Sequence, residues 1–141
     1  MPTLKALTET RGFAVLEHLE ADLEIPVHSG IQFQGDVAIV PLAELAETIR
    51  LTGSWEKIGP AGVIVVKGEN GGHTHLLVAD PGAGRWMEDV SDDEQLAVGV
   101  LEATAPVHLL HAEHGGPGIA PGRYVIRRQR EQADGQRLVA D

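Results

Sequence analysis

Apolar positions along the chain come in short bursts rather than long stripes. Residues 36–40, 62–67, 74–79, 96–101, 105–111 and 124–130 are each rich in Val, Ile or Leu and bounded by Gly, Pro or Asp, the pattern of short β-strands. Glycine-rich or proline-containing stretches fill the gaps at 59–60, 68–72, 81–84 and 115–118, where turns with defined backbone preferences are expected. Strands this short, punctuated roughly every ten residues, predict a mainly β fold, either a small barrel or a sandwich.

Two segments carry a different period. Phe13, Leu16, Leu19 and Leu23 are spaced by three and four, which predicts one N-terminal helix over 12–23. In 41–50, Pro41 suits a first helical turn and Leu42, Leu45 and Ile49 share a face; the alternative is a loop between strands. The expected organisation is an N-terminal arm or helix over 1–33, a β-rich domain over 34–131 and a polar tail over 132–141, in which Leu138 and Val139 are candidates for a last strand. No internal repeat is visible.

Composition narrows the function classes. A chain of 141 residues, 43% hydrophobic and 23% charged, has the profile of one globular domain that buries a core unaided. Only five aromatics are present, Phe13, Phe33, Trp55, Trp86 and Tyr124, so the core is expected to be aliphatic and stacking platforms for single-stranded nucleic acid are scarce. The formal net charge of -10 opposes binding to phosphate backbones. Cysteine is absent, which excludes disulfides, thiolate ligands and a thiol nucleophile. No run approaches the roughly 20 apolar residues that span a bilayer, and the first residues lack the apolar stretch of a signal peptide. The expectation is a soluble, cytoplasmic protein with no nucleic acid or membrane partner.

The histidines hold the candidate chemistry. His73 and His75 follow Gly71-Gly72; His108, His111 and His114 precede Gly115-Gly116. On a strand, His73 and His75 face one side, about 6.6 Å apart along it. A strand over 105–111 puts Val107, Leu109 and His111 on one side and His108 and Leu110 on the other. The predicted site is therefore His73, His75 and His111, with His114 or Glu113 completing the shell around a divalent transition metal: zinc, iron, manganese or nickel. The competing reading is histidines exposed on loops and sheet.

The His-x-His pair followed by Asp80 and a glycine turn resembles the first metal motif of cupins, small β-barrels that hold an ion with His, His, Glu and a later His. Carried over, the resemblance implies His73, His75 and Asp80 as ligands, Asp80 standing where the family has glutamate. The second cupin motif, Pro-x-Gly followed by His, is missing: Pro121-Gly122-Arg123-Tyr124 offers no histidine. A broader stretch, Gln34 to Val37, Gly72 to His75, His111 to His114 and Pro121 to Glu131, is similar to an uncharacterised group of small bacterial proteins. That likeness implies one intact domain over about residues 34–131 and no particular chemistry.

Other clusters have plainer readings. Arg123, Arg127, Arg128 and Arg130 offer either an anion site or charges on a solvated or edge strand, with Tyr124 and Ile126 turned inward. The glycines of 68–72 read as a hairpin turn rather than a phosphate loop. Glu88, Asp89, Asp92, Asp93 and Glu94 lack the spacing of a calcium loop, and none of Ser29, Ser54 and Ser91 sits in a nucleophile elbow. Two function classes result. One is a metal-binding β-barrel, enzymatic if the ion keeps an open position, with Glu113 or Glu69 as base. The other is a non-catalytic subunit of a bacterial or phage assembly, a homo-oligomer or larger particle, with the arm and glycine loops as contacts.

Overall fold

A computed structural model of the chain describes residues 26–67, 74–112 and 115–129. The strands in order are β1 (Val27–His28), β2 (Gln32–Gln34), β3 (Val37–Pro41), β4 (Ile49–Arg50), β5 (Glu56–Lys57), β6 (Val63–Val66), β7 (His75–Val78), β8 (Gly84–Met87), β9 (Ser91–Asp92), β10 (Ala97–Ala103), β11 (Val107–Leu110), β12 (Gly118–Ile119) and β13 (Gly122–Arg128). The predicted helix over 12–23, the turn at 68–72, the Leu138–Val139 strand, and residues Glu69, His73, Glu113, His114 and Arg130 lie outside the described residues.

The architecture is mainly β. One sheet has the order β1-β12-β11-β7-β6 and the other β2-β3-β13-β10-β8-β5, with β4 and β9 as a separate pair. All pairings are antiparallel except that of β1 with β12. Among the described residues neither sheet closes on itself, so the barrel alternative is corrected to two open sheets packed face to face. The main core lies between them. Leu77, Val107, Leu109 and Ile119 from the five-stranded sheet meet Val37, Ile39, Trp86, Leu101, Tyr124 and Ile126 from the six-stranded one, each set following the two-residue alternation of a strand.

The six-stranded sheet is buried on its second face as well. Ile49, Val100 and Val125 form a smaller cluster there, with Leu42, Leu45, Trp55 and Val90 against it. The segment after β3 makes only a 3-10 turn, Leu42–Leu45, before entering β4. The shared face of Leu42, Leu45 and Ile49 is realised without an α-helix, because the single turn delivers Leu42 and Leu45 to that cluster and β4 brings Ile49.

This two-sided burial corrects the reading of the arginines. β13 pairs with both β3 and β10 and is a central strand, not an edge. Tyr124 and Ile126 do point into the main core, and Val125 between them fills the second. Arg123 reaches Glu102 at 2.7 Å and Arg85 meets the same carboxylate through Nε at 3.0 Å. Both guanidiniums stack on Trp55, at 4.8 Å for Arg85 and 5.6 Å for Arg123. Arg127 faces Glu94 at 3.6 Å. The arginines named here are engaged by acids of their own chain.

The acidic loop is likewise occupied by its own backbone. Asp92 accepts hydrogen bonds from the amides of Glu94, Leu96 and Ala97 at 2.9, 2.8 and 2.7 Å, and Asp93 pairs with Arg50 at 2.9 Å. Burial pushes the Asp92 carboxyl up, but the three N–H donors and Arg127 outweigh it and hold the group below its ordinary value. No helix among the described residues is long and apolar enough to cross a membrane.

Candidate functional site

Strand register builds the site. β11 and β7 pair antiparallel with Leu109 opposite Leu77 and Leu110 opposite Leu76. One step further in the same register sets His111 across from His75, on the face of Leu109 and Leu77. The two rings lie 4.4 Å apart, centroid to centroid, tilted by 39°. Both are buried, at 0% and 1% exposure. They stop the core at the end of the sandwich where β11 turns back. That turn is tight: the His111 amide donates to the Gly115 carbonyl at 2.7 Å, and the Gly115 amide returns the bond at 2.9 Å.

The opposite sheet closes the cluster from above. Gln34 pairs with Val37, so Gly35 and Asp36 form a two-residue hairpin loop, and Gly35 holds φ 60. A left-handed first residue is what such a loop requires, and glycine adopts it without strain. The hairpin presents both flanking polar groups to β7. Gln34 Nε2 donates to the carbonyls of Leu109 at 2.8 Å and Gly115 at 3.3 Å. Its amide orientation is thereby fixed, and Oε1 faces His75 Nδ1 at 2.7 Å. The acceptor there is the amide oxygen, so the proton of that bond belongs to His75 Nδ1. His75 Nε2 then lies 3.7 Å from Asp36 Oδ1.

That geometry has two chemical states. With Nε2 protonated, the ring is an imidazolium paired to Asp36. With Nε2 unprotonated, a nitrogen lone pair and a carboxylate oxygen stand at a separation close to the ~3.4 Å expected between two ligands of one tetrahedral zinc. A histidine whose other nitrogen donates to a fixed oxygen is oriented as metal ligands commonly are. Among the described residues, no group of three His, Asp or Glu is arranged to hold an ion by itself.

Of the predicted ligands, the structure brings His75 and His111 together; His73 and His114 lie outside the described residues. His108 faces the other side of its sheet, as the alternation predicted, with Nδ1 3.4 Å from the Gly116 carbonyl oxygen. Asp80 does not join: it is exposed beyond the far end of β7, where its carbonyl accepts from Ala83 in a turn. The cupin-like ligand set therefore loses its carboxylate as well as its barrel. Asp36 and Gln34, which the sequence marked only as part of the Gln-Gly-Asp-Val stretch, take that place. Their signal was the glycine between two polar residues ahead of an apolar run, the signature of a hairpin loop.

Comparison with curated proteins and with solved structures gives no match. The model of a domain of unknown function, DUF8820, matches residues 33–129, a span that takes in the Gln34–Asp36 hairpin, His75, His111 and every strand from β3 to β13. The chain belongs to that family of uncharacterised domains.

Proposed function

We propose that this domain holds one divalent transition metal, zinc, iron, manganese or nickel, at the end of its sandwich. His75 Nε2 and the His111 imidazole are its first ligands. His73 and His114, near neighbours of these two along the chain, complete the set, with Asp36 beside them. The observation that supports this is the fixed proton at His75 Nδ1: Gln34 holds it, which turns the lone pair of the neutral ring toward Asp36 at 3.7 Å. Imidazole with carboxylate suits zinc and its neighbours in the first transition row.

The burial of both rings favours a closed, structural ion over a catalytic one with an open position. Such an ion ties β7 and β11 to the β2–β3 hairpin, and so joins the two sheets at the end where the apolar core stops. Metal binding would then be part of the folding free energy.

Elemental analysis of protein purified without an affinity tag tests this. One equivalent of metal is expected, lost in the His75→Ala and His111→Ala double variant. Parent protein that is folded, metal-free and unchanged in stability on adding any of the four ions would overturn it.

A second reading, a non-catalytic assembly subunit, rests on a different feature. Ile31 and Phe33 are exposed at 48% and 64%, and they line a groove of about 470 Å³ with Val40, Leu45 and Leu96. Exposed apolar patches of this kind mark contact surfaces. Sedimentation of the parent against Phe33→Ser distinguishes this reading: a self-associating parent and a monomeric variant support it, and a monomeric parent removes it.

A further inference from the structure

Strand register lays four charged side chains in one line across the six-stranded sheet. Lys57 on β5 opposes Arg85 on β8, Arg85 opposes Glu102 on β10, and Glu102 opposes Arg123 on β13. Their chain neighbours Ile58, Trp86, Leu101 and Tyr124 point into the main core, so the line itself lies on the outer face. Lys57 is exposed, and the side chains of Arg85 and Arg123 are 43% and 47% exposed.

Engagement by Glu102 does not neutralise this line. Three cations meet one carboxylate, in a chain whose net charge is -10. Glu102 accepts from Nε and Nη2 of Arg85 through Oε1 and from Nε and Nη2 of Arg123 through Oε2, so both its oxygens are taken. Glu56, the acid beside Lys57 in the chain, opposes Trp86 and belongs to the other side of β5. Among the described residues no carboxylate pairs with Lys57. Like charges directly opposite on neighbouring strands are destabilising, yet Lys57 and Arg85 stand that way. A local rule broken with no compensation inside the fold is characteristic of a functional site.

Trp55 holds the donors in place. Its ring packs against Ile49, Val100 and Val125 and carries both guanidiniums, Arg85 at 4.8 Å and Arg123 at 5.6 Å. A guanidinium has five N–H donors. With Nε and Nη2 turned to Glu102, each arginine keeps those of Nη1. The surplus of positive charge matches a dianion, and guanidinium with ammonium is a pairing suited to phosphate oxygens. The acidity of the rest of the chain opposes an extended polyanion, whose further charges would be repelled.

We propose that Lys57, Arg85 and Arg123 form a binding site for a phosphomonoester dianion. Lys57 and Arg85 are its main contacts, and Trp55 and Glu102 are positioning residues. The site goes beyond the proposed metal and is separate from it, because the row faces away from the core whose end holds His75 and His111.

Titration of the full chain with glycerol phosphate at pH 8, where a phosphomonoester is doubly charged, tests this at constant ionic strength. The Arg85 and Arg123 Nε–H resonances should shift saturably. Lys57→Ala should weaken binding by about 2–5-fold, the scale of one exposed ion pair, and Lys57→Glu should abolish it. Lys67→Glu, the same charge change at an exposed residue outside the row, should leave it intact. A phosphoserine peptide as second probe identifies the source: tighter binding than glycerol phosphate assigns a phosphorylated protein segment, and equal or weaker binding a free phosphomonoester. No saturable shift, unchanged affinity in Lys57→Glu, or an equal loss in Lys67→Glu would each overturn the proposal.

Discussion

The side chain of Gln34 spans the two sheets to reach His75, accepting the Nδ1 proton at 2.7 Å while its amide nitrogen donates to the Leu109 carbonyl. Replacing it by Leu keeps the volume but leaves a buried carbonyl and a buried ring nitrogen short of a partner. Gln34→Leu should lower unfolding free energy by about 1–3 kcal/mol in urea titrations. If the metal is present, the same change should weaken its binding by about 10–100-fold, because the ring loses its orienting acceptor. An unchanged affinity would mean that Gln34 serves packing alone.

Binding of an ion to the folded chain adds stability by mass action. At a hundredfold excess over its dissociation constant, the increment should be about 2.7 kcal/mol, visible as a raised Tm that a chelator reverses and that His75→Ala abolishes. Imidazole ligands must be unprotonated, so protons compete with the ion. The increment should shrink as pH falls.

Glu102 gives a second pH dependence with a separate cause. The Arg85 guanidinium bonds its carboxylate, Arg123 adds another donor, and together they outweigh burial and hold the group below its ordinary value. A depressed pKa in the folded state contributes stability above the unfolded value of about 4.3, and that contribution is lost as pH falls through the folded value. Glu102→Gln should therefore be the less stable protein at pH 7, by no more than about 1 kcal/mol because both arginines are half exposed. The two should converge in acid, which paired urea titrations at pH 7 and pH 3 would read.

Gly99 on β10 is pressed against the Trp86 ring, and a Cβ there would also come within 2.6 Å of the Met87 carbonyl. Gly99→Ala overfills the packing around the largest fully buried side chain and should cost about 1–3 kcal/mol. Trp86→Leu leaves a void when made alone; in the Gly99→Ala background its cost should fall. Additive losses in that double-mutant cycle would contradict the contact.

What could be read from sequence was set by how local its cause is. The strands that β-branched runs and bounding glycines announced, around Val37, Val63, Leu77, Val100, Leu109 and Ile126, are all present. Glu56–Lys57, Ser91–Asp92 and Gly118–Ile119 were not legible, because two residues are too short a run to carry a pattern and extend only where a partner pairs with them. The burial of β13 on both sides had a signal that the arginines masked: Tyr124, Val125 and Ile126 are consecutive and apolar, which a one-faced strand does not permit. His75 and His111 stood out by residue type, but their meeting depends on the β7–β11 register. Asp36 and Gln34 depend on the packing of one sheet over the other, which no local pattern encodes.

The place of β13 between β3 and β10 bears on how the protein is made. Its two neighbours cannot be bridged until residues 122–128 have been synthesised, so on a nascent chain β3 and then β10 each present a bare inner edge until β13 follows. Closing those distant pairings is intrinsically slow, and unpaired edges invite neighbouring chains. Escape from aggregation thus depends on a strand that emerges after both of the edges it must cover.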